Sequence, residues 1–377
     1  MDFSHILNYK KIRLKTVFAL FLAFMSFKTF AFEEQDTTLK AQDTLQHVAT
    51  VDGHEAHQAV EEKFDPTVTI LEHISDSHGW HLWGHTSLPL PIILYTDKGL
   101  EVFSSSKLMD EHHHPIAYAG KYYTYINQHE HIKVVDANGQ VDEMASAKVL
   151  DFSITKNVAG MFVAITLLLI VFLSVAGSYK KRAGKAPKGL QSWLEPIILF
   201  VRDDIARPNI GYKYEKFMPL LLTIFFFIWF NNLLGLIPIF PGSANVTGNI
   251  AVTLVLAGIV LIVVNVNGNK YYWKHIFKPD VPFWLLPIMW AVEIIGIFSK
   301  PFALMVRLFA NITAGHIIIL SLISLIFIFK SVAIAPVSVA FVLFMSVLEL
   351  LVAFLQAFIF TMLAALFIGT AVEEHHH

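Results

Sequence analysis

Six ionisable side chains interrupt the apolar run from Val281 to Val372: Glu293, Lys300, Arg307, His316, Lys330 and Glu349. Arg307 is the most demanding of them. A guanidinium keeps its proton in a protein, and a fixed charge at the middle of a membrane helix costs about 2.5–3.5 kcal/mol on insertion scales. The other reading is an arginine that snorkels near a helix end, and against it stands the sequence from Leu308 to Phe329, which is uncharged apart from His316. A charge held at such cost points to ion movement.

Glu293, Lys300 and Arg307 recur every seven residues, and Asn311 follows four after Arg307, so all four fall on one stripe of a helix. The stripe is either a polar ion path or an ion-paired packing face in which Glu293 neutralises Lys300 or Arg307. His316, nine residues after Arg307, lies on the opposite side, which suits two separate aqueous paths flanking one arginine. Glu349 and Gln356 are also seven apart, in VLELLVAFLQAFIF. Desolvation in so apolar a helix favours the neutral carboxyl, which can then take up and release protons unless Arg307 or His316 pins it as a permanent partner.

Only a membrane protein can position such residues. The chain has 377 residues, 55% hydrophobic and 15% charged, with 32 Phe and a mean hydropathy of +0.56, and a soluble chain of this length is far more polar. A net charge of −2 gives no bulk electrostatic case for nucleic acid or another polyanion, and the absence of Cys removes disulfides, thiol nucleophiles and Cys-based metal clusters.

Residues 1–31 combine a basic run (Lys10, Lys11, Arg13, Lys15) with the uncharged TVFALFLAFMSF from Thr16 to Phe27. They resemble a signal peptide cleaved after Ala31; a short anchor helix is the other reading. Residues 32–152 are polar and His-rich, with β-prone runs PIILY, LEVF and YYTYI separated by turn signals such as Asp97-Lys98-Gly99, and Lys40 to Glu62 reads as linker. His78, His81 and His85 are spaced for a metal, but no signature fixes a geometry. A solvated histidine-rich surface is expected there, with no metal site.

A membrane domain is expected over 153–374. Its spans are expected at about 157–179, 217–240, 248–269, 284–328 and 332–371, with an amphipathic interfacial helix at about 189–206 and terminal His residues at 375–377. The last two segments exceed what a perpendicular helix needs, so tilt or a kink near Pro301 is expected. Lys180, Lys181 and Arg182 after the first span and Lys270, Lys274 and Lys278 after the third mark cytoplasmic loops, which places residues 32–152 outside and the C-terminus inside. The expected fold class is therefore a mainly α polytopic membrane protein of about five transmembrane helices, two of them long and tilted, with an interfacial helix and a small β-containing extramembrane domain.

From Ser153 to Glu374 the chain resembles the a subunit family of rotary F-type ATP synthases. SKPFALMVRLFANITAGH (Ser299 to His316) and LQAFIF (Leu355 to Phe360) carry the resemblance, with FNNLLGLIPI (Phe230 to Ile239) in support. In that family the arginine matched by Arg307 faces a carboxylate of the c-subunit ring; Asn311 matches the family's amide four residues later, and Gln356 its glutamine on the final helix. Many bacterial members have Glu where this chain has His316, and His where it has Glu349. The exchange keeps one acid and one imidazole between facing helices, and the two are expected to work together.

The resemblance implies two offset proton half-channels against the c ring, with Arg307, Glu349, His316, Asn311, Gln356 and Glu293 along the ion path. It implies a non-catalytic subunit of the bacterial inner membrane that partners the c ring, b-type peripheral stalk subunits and, indirectly, the soluble catalytic head. No phosphate-binding Gly-rich motif is present, and no cofactor and no nucleic-acid partner is expected. The residues alone also admit a self-contained proton-coupled transporter with a His-rich outer domain, or a metal sensor anchored by the helices; a c ring co-purifying with the chain distinguishes the first reading from these.

Overall fold

A computed structural model describes residue 70 and residues 75–373, apart from 84–85, 111–114, 129, 137, 183, 238–243, 278, 280 and 330–333. The signal-like segment, the 40–62 stretch and the terminal histidines lie outside the described residues.

The extramembrane part is made of short antiparallel pairings. Strands β1 (Gly79–Trp83) and β2 (Thr86–Pro89) form one hairpin. Strands β3 (Pro91–Thr96) and β4 (Gly99–Ser104) form a second, closed by Asp97-Lys98 and by Gly99 at φ +134°, a conformation that a side chain would strain. A three-stranded meander joins β5 (Tyr118–Ala119), β6 (Thr124–Gln128) and β7 (His131–Val135). The period-two alternation of β3 sends Ile92 and Leu94 inward and leaves Tyr95 outside, and the inner residues join Phe103, Leu108, Tyr125, Ile132 and Val134 in one small core. After the single-turn helix α1 (Glu143–Ser146), strand β8 (Leu150–Asp151) returns to pair with β3 and leads into the membrane part.

Five helices among the described residues are long and apolar enough to cross a membrane. Helix α2 (Lys156–Lys181) ends in lysines that suit the negative end of its dipole. Helix α3 (Leu190–Phe200) continues through a π turn (Val201–Ala206) and α4 (Arg207–Ile210) toward α5 (Tyr214–Leu236). The apolar stripe expected around 189–206 is covered by protein only in part: Leu194, Val201 and Ile205 are buried and Phe200 packs on Phe354 and Phe358, whereas Leu190 and Trp193, the latter stacked on Trp229, stay exposed.

Helix α6 (Ile250–Asn267) is capped by the Asn249 side chain accepting from Ala251 N, and the short α7 (Lys270–Phe277) follows it. The last two helices are α8 (Leu286–Phe329) and α9 (Ala335–Val372). Pro301 lies inside α8 without ending it. At 1.5 Å per residue these 44- and 38-residue helices are about 66 and 57 Å long, so a bilayer core of about 30 Å accommodates them only when they are strongly inclined.

The core of the membrane part is aromatic and aliphatic, centred on Leu221, Ile224, Phe225, Phe226 and Ile228 of α5 and on Ala357, Phe360, Ala364 and Ile368 of α9. Small residues on α9 let it approach its neighbours closely, the way helices gain contact where lipid offers no hydrophobic drive. At one end of the bundle Lys213 Nζ donates to Val372 O, Lys216 Nζ to Asn267 Oδ1 at 2.6 Å, and Asn269 N to Ala371 O at 2.9 Å. The β-rich part sits at the other end, where Trp80 is buried with Met161 of α2 and with Ala244 and Val246 before α6.

Candidate functional site

Helices α8 and α9 pack along one another and carry the chemistry. Leu304, Met305 and Leu308 turn the inner side of α8 into the core, which leaves Arg307 on the exposed side. Among the described residues Arg307 forms no ion pair and no hydrogen bond, although its neighbours Val306 and Phe302 are themselves exposed apolar side chains. One turn further on, Asn311 Nδ2 donates to Gln356 Oε1 at 2.8 Å, so the two amides bridge the helices. Gln356 is buried, and its Nε2 is left without a partner among the described residues.

The acid, carried by α9, and the imidazole, carried by α8, lie further along the same helix pair. Glu349 lies directly against Gly315: a Cβ at that position would collide with Glu349 Oε1, so glycine is what allows the carboxyl to reach the α8 backbone. Among the described residues Glu349 Oε2 is buried without a hydrogen-bond partner, as is Thr313 Oγ1. His316, one residue past Gly315, turns toward the end of α5, where its Nε2 is 3.9 Å from the position a Cβ on Gly235 would take. The Glu349 carboxyl of α9 and the His316 ring of α8 thus meet at the same turn of α8, with no direct hydrogen bond between them among the described residues. Behind them Asn232 accepts from Thr247 Oγ1 at 2.6 Å and donates to Ala353 O at 3.3 Å, which ties α5 to α9 and to the loop before α6.

The remaining members of the 293–311 stripe do not neutralise one another. Glu293 Oε1 is 3.5 Å from His275 Nδ1 of α7, and Lys300 Nζ lies 5.7 Å from the centre of the Phe367 ring. Lys300 also borders a small cleft lined by Asn265, Tyr272, Pro301 and Thr370. Burial, with the Glu293 charge adding to it, holds the Tyr272 phenol above its ordinary range. The polar residues therefore form two groups: Glu349 and His316 toward the end that bears the β-rich part, and Glu293, His275, Lys300 and Tyr272 toward the other, with Arg307 and the Asn311–Gln356 pair between.

Of the residues singled out from sequence, Asn311 and Gln356 are brought together, Glu349 of α9 reaches the α8 turn that carries His316, Glu293 pairs with His275, and Arg307 has no partner among the described residues. Sequence reasoning misses His275 and Tyr272, which lie in a short polar helix whose only sign is its lysines. It includes the Asn231-Asn232 pair within FNNLLGLIPI without assigning it a contact. Of the histidines considered for a metal, His78 is ion-paired with Glu130 and Asp151, and His85 lies outside the described residues.

A family model described as ATP synthase A chain matches residues 159–369, and one described as a domain of unknown function, DUF8433, matches residues 69–152. The chain is 50% identical over 232 residues to ATP synthase subunit a of Chloroherpeton thalassium, covering 60% of this chain and 69% of that one. It is 50% identical over 234 residues to ATP synthase subunit a 2 of Prosthecochloris aestuarii (60% and 71%). It is 46% identical over 236 residues to ATP synthase subunit a of Myxococcus xanthus (60% and 76%).

Proposed function

The chain belongs to the ATP synthase A chain family, a family of multi-pass membrane subunits, and we propose that it is the stator that forms two proton half-channels against a ring of c subunits. The observation that carries this reading is the exposed guanidinium of Arg307, without a partner among the described residues, on a helix that the rest of the chain scarcely covers. Only 6% of the most apolar stretch of α8 and 11% of that of α9 is buried within the chain, against 56% for the segment Leu190–Leu236. A permanent charge facing hydrocarbon is costly, and a ring carboxylate opposite Arg307 removes that cost.

In the proposed cycle a proton reaches Glu349 beside His316 and passes to a ring carboxylate, neutralising it for its passage through lipid. After the ring has turned, the same carboxyl meets Arg307, whose fixed charge favours the ionised form, and the proton leaves toward Glu293, His275 and Tyr272. Asn311 and Gln356 hold α8 and α9 in register around the arginine, and Arg307 also blocks direct passage of cations between the two paths. Each charge crossing gains about 2.3 kcal/mol per 100 mV, which turns ring rotation into usable work.

The subunit itself catalyses no reaction. ATP chemistry belongs to the soluble head, to which b-type stalk subunits connect it. In this reading residues 1–31 are a signal segment, residues 32–152 lie in the periplasm, and residues 153–374 span the bacterial inner membrane with the C-terminus in the cytoplasm. The grouping of Lys213, Lys216, Asn267, Asn269 and Val372 at the end away from the β-rich part supports that sidedness under the positive-inside rule.

The test is proton-gradient-driven ATP synthesis by the complete complex in vesicles, wild type against Arg307→Ala, with passive proton leak recorded in the same preparation. Loss of synthesis with a raised leak is expected. Undiminished synthesis would remove Arg307 from the ring contact and return the transporter reading to first place.

A further inference from the structure

The segment before β1, residues 75–78, belongs to a cluster of charges that the function above does not use. His78 is 2% exposed, yet its ring lies between two carboxylates, with Nδ1 3.0 Å from Glu130 Oε2 and Nε2 3.5 Å from Asp151 Oδ2. The second distance is long for a hydrogen bond, and among the described residues Nε2 is a buried ring nitrogen without a hydrogen-bond partner. Glu130 also accepts the His78 backbone N–H at 2.8 Å, and its own φ is +62°, a left-handed conformation that a non-glycine residue adopts at a cost.

The same segment is fastened to the head of α2. Asp76 accepts from Thr155 Oγ1 at 2.7 Å and from Asn157 N at 2.9 Å, so it caps the helix, while Lys156 N donates to Ser77 O at 2.8 Å and Lys156 Nζ to Ser75 O at 3.1 Å. Lys156 interacts electrostatically with Asp76 and Glu130 on one side and with His316 on the other. Beside it, Trp80 is buried on Met161, Ala244 and Val246, and Ala244 O is 3.5 Å from the Cβ position of Gly235, the residue next to the His316 ring. The β-rich part therefore sits over the end of the bundle where His316 and Glu349 lie.

We propose that this part of the chain is the outer mouth of the ion path: His78, Glu130 and Asp151, linked through Asp76 and Lys156, form a proton-exchanging vestibule above His316. The inference rests on the stator reading and adds to it a site in the region that a model described as a domain of unknown function matches. The cluster holds three carboxylates against the charges of Lys156 and protonated His78, so it bears one net negative charge and concentrates protons from the bulk. Burial alone would lower the His78 pKa, but the Asp151 and Glu130 carboxylates outweigh it and raise it to about 9, which keeps a proton on the ring at neutral pH and releases it in alkaline medium. In the transfer a proton leaves His78 for water in the vestibule, moves inward to the His316–Glu349 site, and is replaced on His78 from the outer solution. No other atom changes bonding.

The experiment uses the complete complex in vesicles at fixed membrane potential, with the pH on the side of the β-rich part raised from about 7 to about 10 while the other side is held constant. Wild type, His78→Gln, Glu130→Gln and Arg307→Ala are compared per assembled complex. Wild type should sustain proton uptake up to about pH 9, and both vestibule variants should lose it at lower outer pH, running about three- to tenfold slower near pH 8.5 while their response to inner pH stays unchanged. Outer-pH profiles of both variants that coincide with wild type would overturn the vestibule. Should His78→Gln fail to assemble, the Glu130→Gln profile decides alone, since the carbonyl of the substituted side chain still accepts the His78 backbone N–H. Synthesis lost in Arg307→Ala with normal vestibule variants would overturn only this inference, whereas synthesis retained in Arg307→Ala would overturn the stator reading beneath it.

Discussion

Asn311 and Gln356, 45 residues apart in the chain, are joined by a 2.8 Å hydrogen bond that crosses from α8 to α9 one turn beyond Arg307. In hydrocarbon such a bond is modest in energy, about 0.6 kcal/mol on average and at most about 1.7. A double-mutant cycle of Asn311→Ala and Gln356→Ala should therefore give a coupling energy within that range, read from unfolding of the complex in graded detergent. Independent, fully additive losses would mean that the amides do not act on one another.

Substituting Arg307 by Lys keeps the charge and removes the planar, always-protonated fork. Membrane insertion and complex yield should be unchanged, while synthesis falls by about tenfold or more, because an ammonium loses its proton far more readily than a guanidinium and seals the path less well. Synthesis at the wild-type rate in Arg307→Lys would make the fixed charge, and not the guanidinium, the whole requirement.

At Gly315 the added Cβ of Ala meets Glu349 Oε1. Gly315→Ala should displace the carboxyl from α8, at a packing cost of about 1–3 kcal/mol, and slow proton uptake by about tenfold or more. Adding Glu349→Ala should recover the lost stability, since the collision disappears, but not the transport. Recovery of both would show that Glu349 does not carry protons.

The buried His78 makes the β-rich part sensitive to pH in a definite direction. Its pKa is raised to about 9 in the fold, so the ion pairs contribute fully below about pH 6.5, weaken as pH rises, and are lost above about 9. The loss should approach about 3 kcal/mol in the full chain, measured as the denaturant midpoint of the Trp80 environment at acid and alkaline pH, and His78→Asn should flatten the dependence. Glu130 and Asp151 act at the acid end: their pKa values are lowered through His78 despite burial, so their contribution is present above the ordinary carboxylate range and fades as pH falls below it. A midpoint independent of pH between the two extremes would dissociate His78 from both carboxylates.

Much of this architecture is legible in the residues themselves. A bilayer forces every backbone group in it to bond within its own helix, so long uncharged runs must become spanning helices, and the lysine-bearing segments between them mark the connections. Heptad spacing likewise places Glu293, Lys300, Arg307 and Asn311 on one stripe of α8, because helical geometry is local. The β-hairpins follow from alternation and from the Asp97-Lys98-Gly99 turn for the same reason.

Spacing is silent about contacts between helices. That Glu293 turns to His275, that Gly315 receives the Glu349 carboxyl, and that Arg307 finds no partner among the described residues of its own chain depend on how α7, α8 and α9 pack, and each is settled by side-chain volume at close approach. The docking of Trp80 on Met161 and Ala244, and the electrostatic link from Asp76 through Lys156 toward His316, join residues about 80 to 170 positions apart, beyond the reach of any periodicity. Local hydrogen bonding and hydrophobic length therefore determined the helices and the placement of the charges on them. Only long-range packing decided which charges meet and which one is left exposed.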